Sequence, residues 1–74
     1  MKTFKIKGEY IQLNQLLKVL GWCDSGGMAN ALIDSGQVKV NGVVELRRRN
    51  KIGPGFKVEF DSKTVTVEGG PTGS

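Results

Sequence analysis

Residues 31–46 read ALIDSGQVKVNGVVEL, and the spacing of their apolar side chains changes partway along. Up to Gly36 the spacing is helical, with Ala29, Leu32 and Ile33 on one stripe. From Val38 onward apolar and polar residues alternate, which is the period of a strand. Asn41-Gly42 then stands between two valine-rich arms. A two-residue type I′ turn needs positive φ at both central positions, so this dipeptide predicts a β-hairpin. The pairing sets Val40 opposite Val43 and Val38 opposite Glu45, placing Val38, Val40 and Val43 on one face and Lys39 on the other. Glu45 falls on the apolar face by this count, so regular pairing is expected to end or bulge there.

Upstream, CDSGGMANALIDSG (23–36) reads as a helix that Gly36 stops. Asp24 or Ser25 can cap the free N–H groups of its first turn. Gly26 and Gly27 follow the cap and leave backbone N–H groups uncovered. YIQLNQLLKVLG (10–21) predicts another helix, because Leu13, Leu16, Leu17 and Leu20 fall at i, i+3, i+4 and i+7. In KTFKIK (2–7), Phe4 and Ile6 alternate with Lys5 and Lys7, a short strand. Downstream, GPG (53–55) is a turn, FKVEF (56–60) is a strand with Phe56, Val58 and Phe60 inward, and TVTV (64–67) is a last strand beyond an Asp61-Ser62 turn. The predicted order is β-α-α-β-β-β, or α-α-β-β-β with the first strand at the edge. The fold class is α+β, with two short helices packed on one face of a small antiparallel sheet.

The chain has 74 residues, enough for one domain (1–68) with a tail (69–74) that reads as flexible by composition. So little material leaves no room for a deep small-molecule pocket. There is one cysteine, Cys23, and no histidine, so no internal disulfide and no cysteine- or histidine-based metal site is expected. No membrane span and no secretory leader is visible, and a reducing, cytoplasmic setting is expected. Asp24, Asp34 and Asp61 are dispersed, and no nucleophile sits beside a base, so no catalytic constellation, cofactor or metal is predicted. The Gly69-Gly70 pair invites a ubiquitin-like carboxylate chemistry, but Pro71 to Ser74 follow it, and that reading is discounted.

Charge is the feature left to explain. Lys and Arg total 11 against 7 for Asp and Glu, a formal net charge of +4. The excess is concentrated: between residues 39 and 51, Lys39, Arg47, Arg48, Arg49 and Lys51 face Glu45 alone. Arg presents a planar fork that suits phosphate oxygens. In an extended segment Arg47 and Arg49 would share a face while Arg48 points away. A solvated loop would carry the same charges, and Lys39 would then be an ordinary exposed strand lysine.

The stretch LNQLLKVLGWCDSGGMANALIDSGQVKVNGVVELRRRNKIGPGFKVEF (13–60) resembles the S-four RNA-binding domain, also called the αL motif. The resembling pieces are the leucine-spaced first helix, Gly21, Ser25 at the start of the second helix, ALIDSGQVKVNG, and a glycine-centred turn before a V-x-F strand. The junction GWCDSG and the basic run before Lys51-Ile52 bring the chain nearer to short standalone bacterial proteins of the YbcJ type. The resemblance implies RNA binding through the start of the second helix, Ser25, Gly26 and Gly27, and the adjacent basic loop, Arg47, Arg48, Arg49 and Lys51, with ribosomal or transfer RNA as the class and ribosome association as one setting. Lys39 extends the basic surface by its place on the strand, and contacts led by phosphates are expected to recognise structured RNA with little base readout. In the broad family the residue after the capping serine is often an RNA-binding arginine. Here it is Gly26, so one phosphate contact is missing and the cluster at 47–51 stands in for it.

For Ser25 to Gly27 the plain reading is a helix cap with small residues for close packing; the added one is an anion site at the positive helix end. Trp22 reads as a partial core residue at the helix junction, Cys23 as a semi-buried or bystander thiol, and Phe56 and Phe60 as core. The functional expectation is a non-catalytic, monomeric RNA-binding protein. The alternative is a protein-interaction module that docks an acidic partner through the same basic patch.

Overall fold

In the computed structural model, which describes residues 2–69, two helices cover one face of a five-stranded sheet. The elements are β1 (Lys2–Lys5), β2 (Ile11–Gln12), α1 (Leu13–Val19), α2 (Gly26–Asp34), β3 (Val38–Val40), β4 (Val43–Val44), β5 (Lys51–Ile52), β6 (Lys57–Phe60) and β7 (Lys63–Glu68). The sheet order is β1-β7-β6-β3-β4, and β2 and β5 form a separate two-stranded ladder.

The hairpin forms as its turn dictates. Asn41 and Gly42 take φ of 54° and 86°, and Val40 pairs with Val43. Asn41 also accepts the Lys57 N–H on its Oδ1 at 2.9 Å and donates its own N–H to the Lys57 carbonyl at 2.7 Å, which ties the turn to β6. Regular pairing ends at Val44, although the Glu45 N–H still reaches the Val38 carbonyl. Val38 and Val40 are buried, but Val43 is 68% exposed, contrary to expectation. It lies on the edge strand, at the rim of the sheet, where the core does not extend over it.

Leu13, Leu16 and Leu17 of α1 and Ala29 and Ile33 of α2 are buried against Val38, Val58, Val65 and Val67 of the sheet. Leu20, Leu32, Phe56 and Phe60 pack around them, and Trp22 meets Phe60 with ring centroids 6.1 Å apart. Cys23 is buried, and burial pushes its thiol pKa up.

Two pairings depart from the reading of the sequence. The sheet is not purely antiparallel: β1 runs parallel to β7, with Lys2 opposite Val65 and Lys5 opposite Glu68. Ile11 and Gln12 do not join the first helix. They are extended, and pair with Ile52 and Lys51. A helix starting at Leu13 keeps the leucine stripe inward, while Ile11 still packs against the core from β2. Among the described residues no helix is long and apolar enough to cross a membrane. The ubiquitin-like reading of Gly70 and most of the 69–74 tail lie outside the described residues.

Candidate nucleic-acid interface

The segment after β4 is not extended. The Asn50 N–H donates to the Arg47 carbonyl at 3.2 Å, closing a turn over Arg47 to Asn50. Glu45 organises this turn. Its carboxylate accepts from the Arg47 backbone N–H (3.0 Å), Arg47 Nε (2.8 Å) and Asn50 Nδ2 (3.2 Å). The Arg47 guanidinium holds the Glu45 carboxyl below its usual range, and Glu45 raises Arg47 in return.

The turn is also fixed to a helix. Gln12 stands at the cap position of α1 but offers no side-chain cap. Instead the Leu13 N–H donates to the Asn50 carbonyl (2.9 Å) and the Asn14 N–H to the Arg48 carbonyl (3.0 Å). The loop backbone thus satisfies donors that a helix start leaves without intrahelical partners. The β2–β5 ladder anchors the same loop one residue further on.

With the backbone held, the side chains point outward. Arg48 reaches the last residue of α2, donating from Nε to Asp34 Oδ1 at 3.0 Å and from Nη2 to Asp34 Oδ2. An acidic residue at a helix C-terminus opposes the macrodipole, and the guanidinium offsets both. Asp34 is held below the usual carboxylate range by this contact. Arg49 is exposed and has no partner among the described residues. The Lys51 ammonium lies over the Tyr10 ring, 4.9 Å from its centroid. The question raised by the crowded arginines therefore has an internal answer for two of them, Arg47 and Arg48. Each uses Nε and Nη2 on a carboxylate, which leaves the rest of a five-donor fork facing solvent.

Ser25 is the cap of α2: its Oγ accepts the Met28 N–H at 3.2 Å. The Gly26 and Gly27 N–H groups have no acceptor among the described residues. Close packing does not explain these glycines. A methyl group at Gly26 would meet nothing within 4 Å, and one at Gly27 only the Ser25 hydroxyl at 3.9 Å. Lys39 is exposed on the sheet face away from the helices, between Val44 and Glu59 on the neighbouring strands. The predicted residues thus fall in three places: the loop at the C-terminal end of α2, the start of α2 about 13 Å away along its axis, and the outer face of β3. Among the described residues no group of three or more Cys, Asp or Glu side chains could hold a metal ion.

The family model of the S4 domain matches residues 4–68. The chain belongs to the S4 domain family. Within it, the chain is 46% identical over 68 residues to YbcJ of Escherichia coli strain K12, whose name proposes RNA binding for it; the match covers 90% of this chain and 97% of that protein. The same identity and coverage hold for YbcJ of Shigella flexneri, which carries no functional name. The solution structure of E. coli YbcJ, described as revealing an αL motif involved in RNA binding, superposes with a TM-score of 0.71. It is 45% identical, and the match covers 92% of this chain and 87% of that one. The architecture that matches it here is two helices on a mostly antiparallel sheet.

One residue beside this site escaped the reading of the sequence. Tyr10 is 45% exposed and sits under Lys51. Its place at the front of a helix-like segment hid it; only the break in helical period at Ile11-Gln12 could have separated it out.

Proposed function

We propose that this S4 domain binds structured RNA, of ribosomal or transfer class, and holds it without catalysing a reaction on it. The observation that carries the reading is the loop at Arg47 to Lys51. Its backbone is fixed by α1 and by the β2–β5 ladder while its cations face solvent. A loop backbone already held in place leaves only side-chain freedom to be lost when its cations meet phosphates. The free N–H groups of Gly26 and Gly27, at the positive end of α2, supply a second phosphate position. Two phosphate sites separated by the length of α2 fit a folded RNA backbone, and such contacts position the RNA without reading its sequence. Family membership and the RNA-binding name of the E. coli relative support the same reading. A cytoplasmic, ribosome-associated setting follows from it.

The test is binding of a structured ribosomal RNA fragment across a salt series. Wild type is compared with an Arg47→Ala, Arg48→Ala, Arg49→Ala triple variant, after circular dichroism shows both are folded. With about five phosphates neutralised the log–log slope is about −4. The triple variant is expected to bind more weakly, with a slope shallower by about two units or more. Unchanged binding, or none by either protein, overturns the reading. It would favour the other one, an acidic protein partner, which draws on Val43, Val44 and Leu46 exposed beside the cluster.

A further inference from the structure

Of the chain's five aromatic side chains, three Phe, one Trp and one Tyr, only Tyr10 is exposed. It does not lie on open surface. A groove of about 490 Å³ opens beside the end of β1 and is lined by Phe4, Ile6 and Ile11 together with Lys5, Lys7 and Tyr10. Lys51 stands outside the groove with its ammonium over the Tyr10 ring. The nearby acids are Glu9, which is exposed, and Glu68, which lies opposite Lys5 in the β1–β7 register. Lys7 and Lys51 have no carboxylate partner among the described residues.

This combination has a specific chemistry. An apolar floor and an aromatic ring accept a flat, apolar face, and cations on either side accept anions. A nucleotide presents both, a π-face and flanking phosphates. A paired base keeps its faces inside the stack, whereas an unpaired one can be splayed out onto an aromatic side chain. The ladder that pairs Ile11 with Ile52 and Gln12 with Lys51 sets the end of the basic loop beside the segment that lines the groove.

We propose that this groove holds one unpaired nucleotide of the bound RNA, its base stacked on Tyr10 and its flanking phosphates on Lys7 and Lys51. The inference rests on the RNA-binding reading above and adds single-strand contact to it. An RNA stem on the loop would then be followed by an unpaired residue in the groove.

The probes are an eight-nucleotide oligouridine, an RNA hairpin with an unpaired loop, and a blunt RNA duplex. Tyr10→Leu keeps the apolar surface and removes the π-face; Tyr10→Trp keeps both. Tyr10→Leu is expected to weaken oligouridine and hairpin binding on the order of ten-fold and to leave duplex binding unchanged, while Tyr10→Trp binds like wild type. If Tyr10→Leu binds all three probes like wild type while the triple arginine variant loses them, the stacking site is wrong and the RNA-binding reading stands. If wild type binds none of the probes, both fall. An equal loss by Tyr10→Leu toward a poly-glutamate peptide also overturns the proposal, because the groove would then be a peptide site. Should Tyr10→Leu fail to fold, the readout is the wild-type Tyr10 ring proton signals on addition of oligouridine. An upfield ring-current shift supports stacking, and unmoved signals refute it.

Discussion

Arg48 and Asp34 form a two-pronged ion pair that joins the loop after β4 to the final residue of α2. The contact has the fork geometry that Arg uses on phosphate. Asp34 therefore occupies, within the free protein, one edge of a guanidinium that RNA could take. Both side chains are about half exposed, 53% and 44%, so a phosphate can compete for that edge.

Removing the competitor is the first prediction. Asp34→Asn removes one negative charge from the surface and leaves the Arg48 guanidinium without its carboxylate. Affinity for a structured RNA is expected to rise several-fold at low salt, and the salt slope to steepen by about 0.7 to 0.9. Filter binding across a salt series reads both. Unchanged affinity and slope would mean that Arg48 does not meet phosphate.

Arg49 and Arg48 should separate in a way that a count of charges would not predict. Arg49 has no partner among the described residues, so Arg49→Ala should weaken RNA binding and leave the urea midpoint where it was. Arg48→Ala also unmasks Asp34 beside the negative end of α2, so it should lower the midpoint as well. Equal midpoints for the two variants would remove the structural role assigned to Arg48.

Glu45 gives a pH dependence of known sign. Arg47 depresses its folded-state pKa, so the stabilisation it contributes is complete above the ordinary glutamate value of about 4.3 and is lost as pH falls through the depressed value. In thermal melts, the difference between wild type and Glu45→Gln should stay constant from neutral pH to about pH 5 and close below about pH 4. A difference that persists at lower pH would show that the contact does not depend on the carboxylate charge.

Two substitutions test the start of α2. Ser25→Ala removes the acceptor for the Met28 N–H and should cost about 1 kcal/mol, read as a melting temperature lower by roughly 4–8 °C. Gly26→Arg meets open space, so it should fold normally and tighten RNA binding while steepening the salt slope by about one phosphate. If Gly26→Arg folds without tightening binding, this helix start is not a phosphate site.

The parts of the fold with local causes were legible in the sequence. The Asn41-Gly42 turn, a cap at Asp24 or Ser25 and the leucine stripe of α1 each follow from a few neighbouring residues; the turn is found as read, the cap is Ser25, and the stripe is buried at Leu13, Leu16 and Leu17. The pairings that join distant segments were not legible. Nothing local in Ile11-Gln12 announces Lys51-Ile52 as its partner, since two-residue strands carry no period to read. The same limit applied to the candidate site. The basic run was plain, but Asp34 and Tyr10 lie far from it in sequence, so the carboxylate on Arg48 and the ring under Lys51 could not be read; Glu45 stands only two residues from Arg47, yet the turn that folds it back onto that guanidinium was read as an extended segment.

The parallel pairing of β1 with β7 sets the order in which this chain can become a protein. The first strand made has its neighbour in the last, so Lys2 to Lys5 wait unpaired until Val65 to Glu68 have been synthesised. Closing so long a loop costs chain entropy before any contact repays it. The sheet therefore closes late, and a chain cut before Lys63 lacks the strand that lies between β1 and β6. Such a fragment keeps α1, α2 and the arginine loop in its sequence but leaves β1 with no place in the sheet.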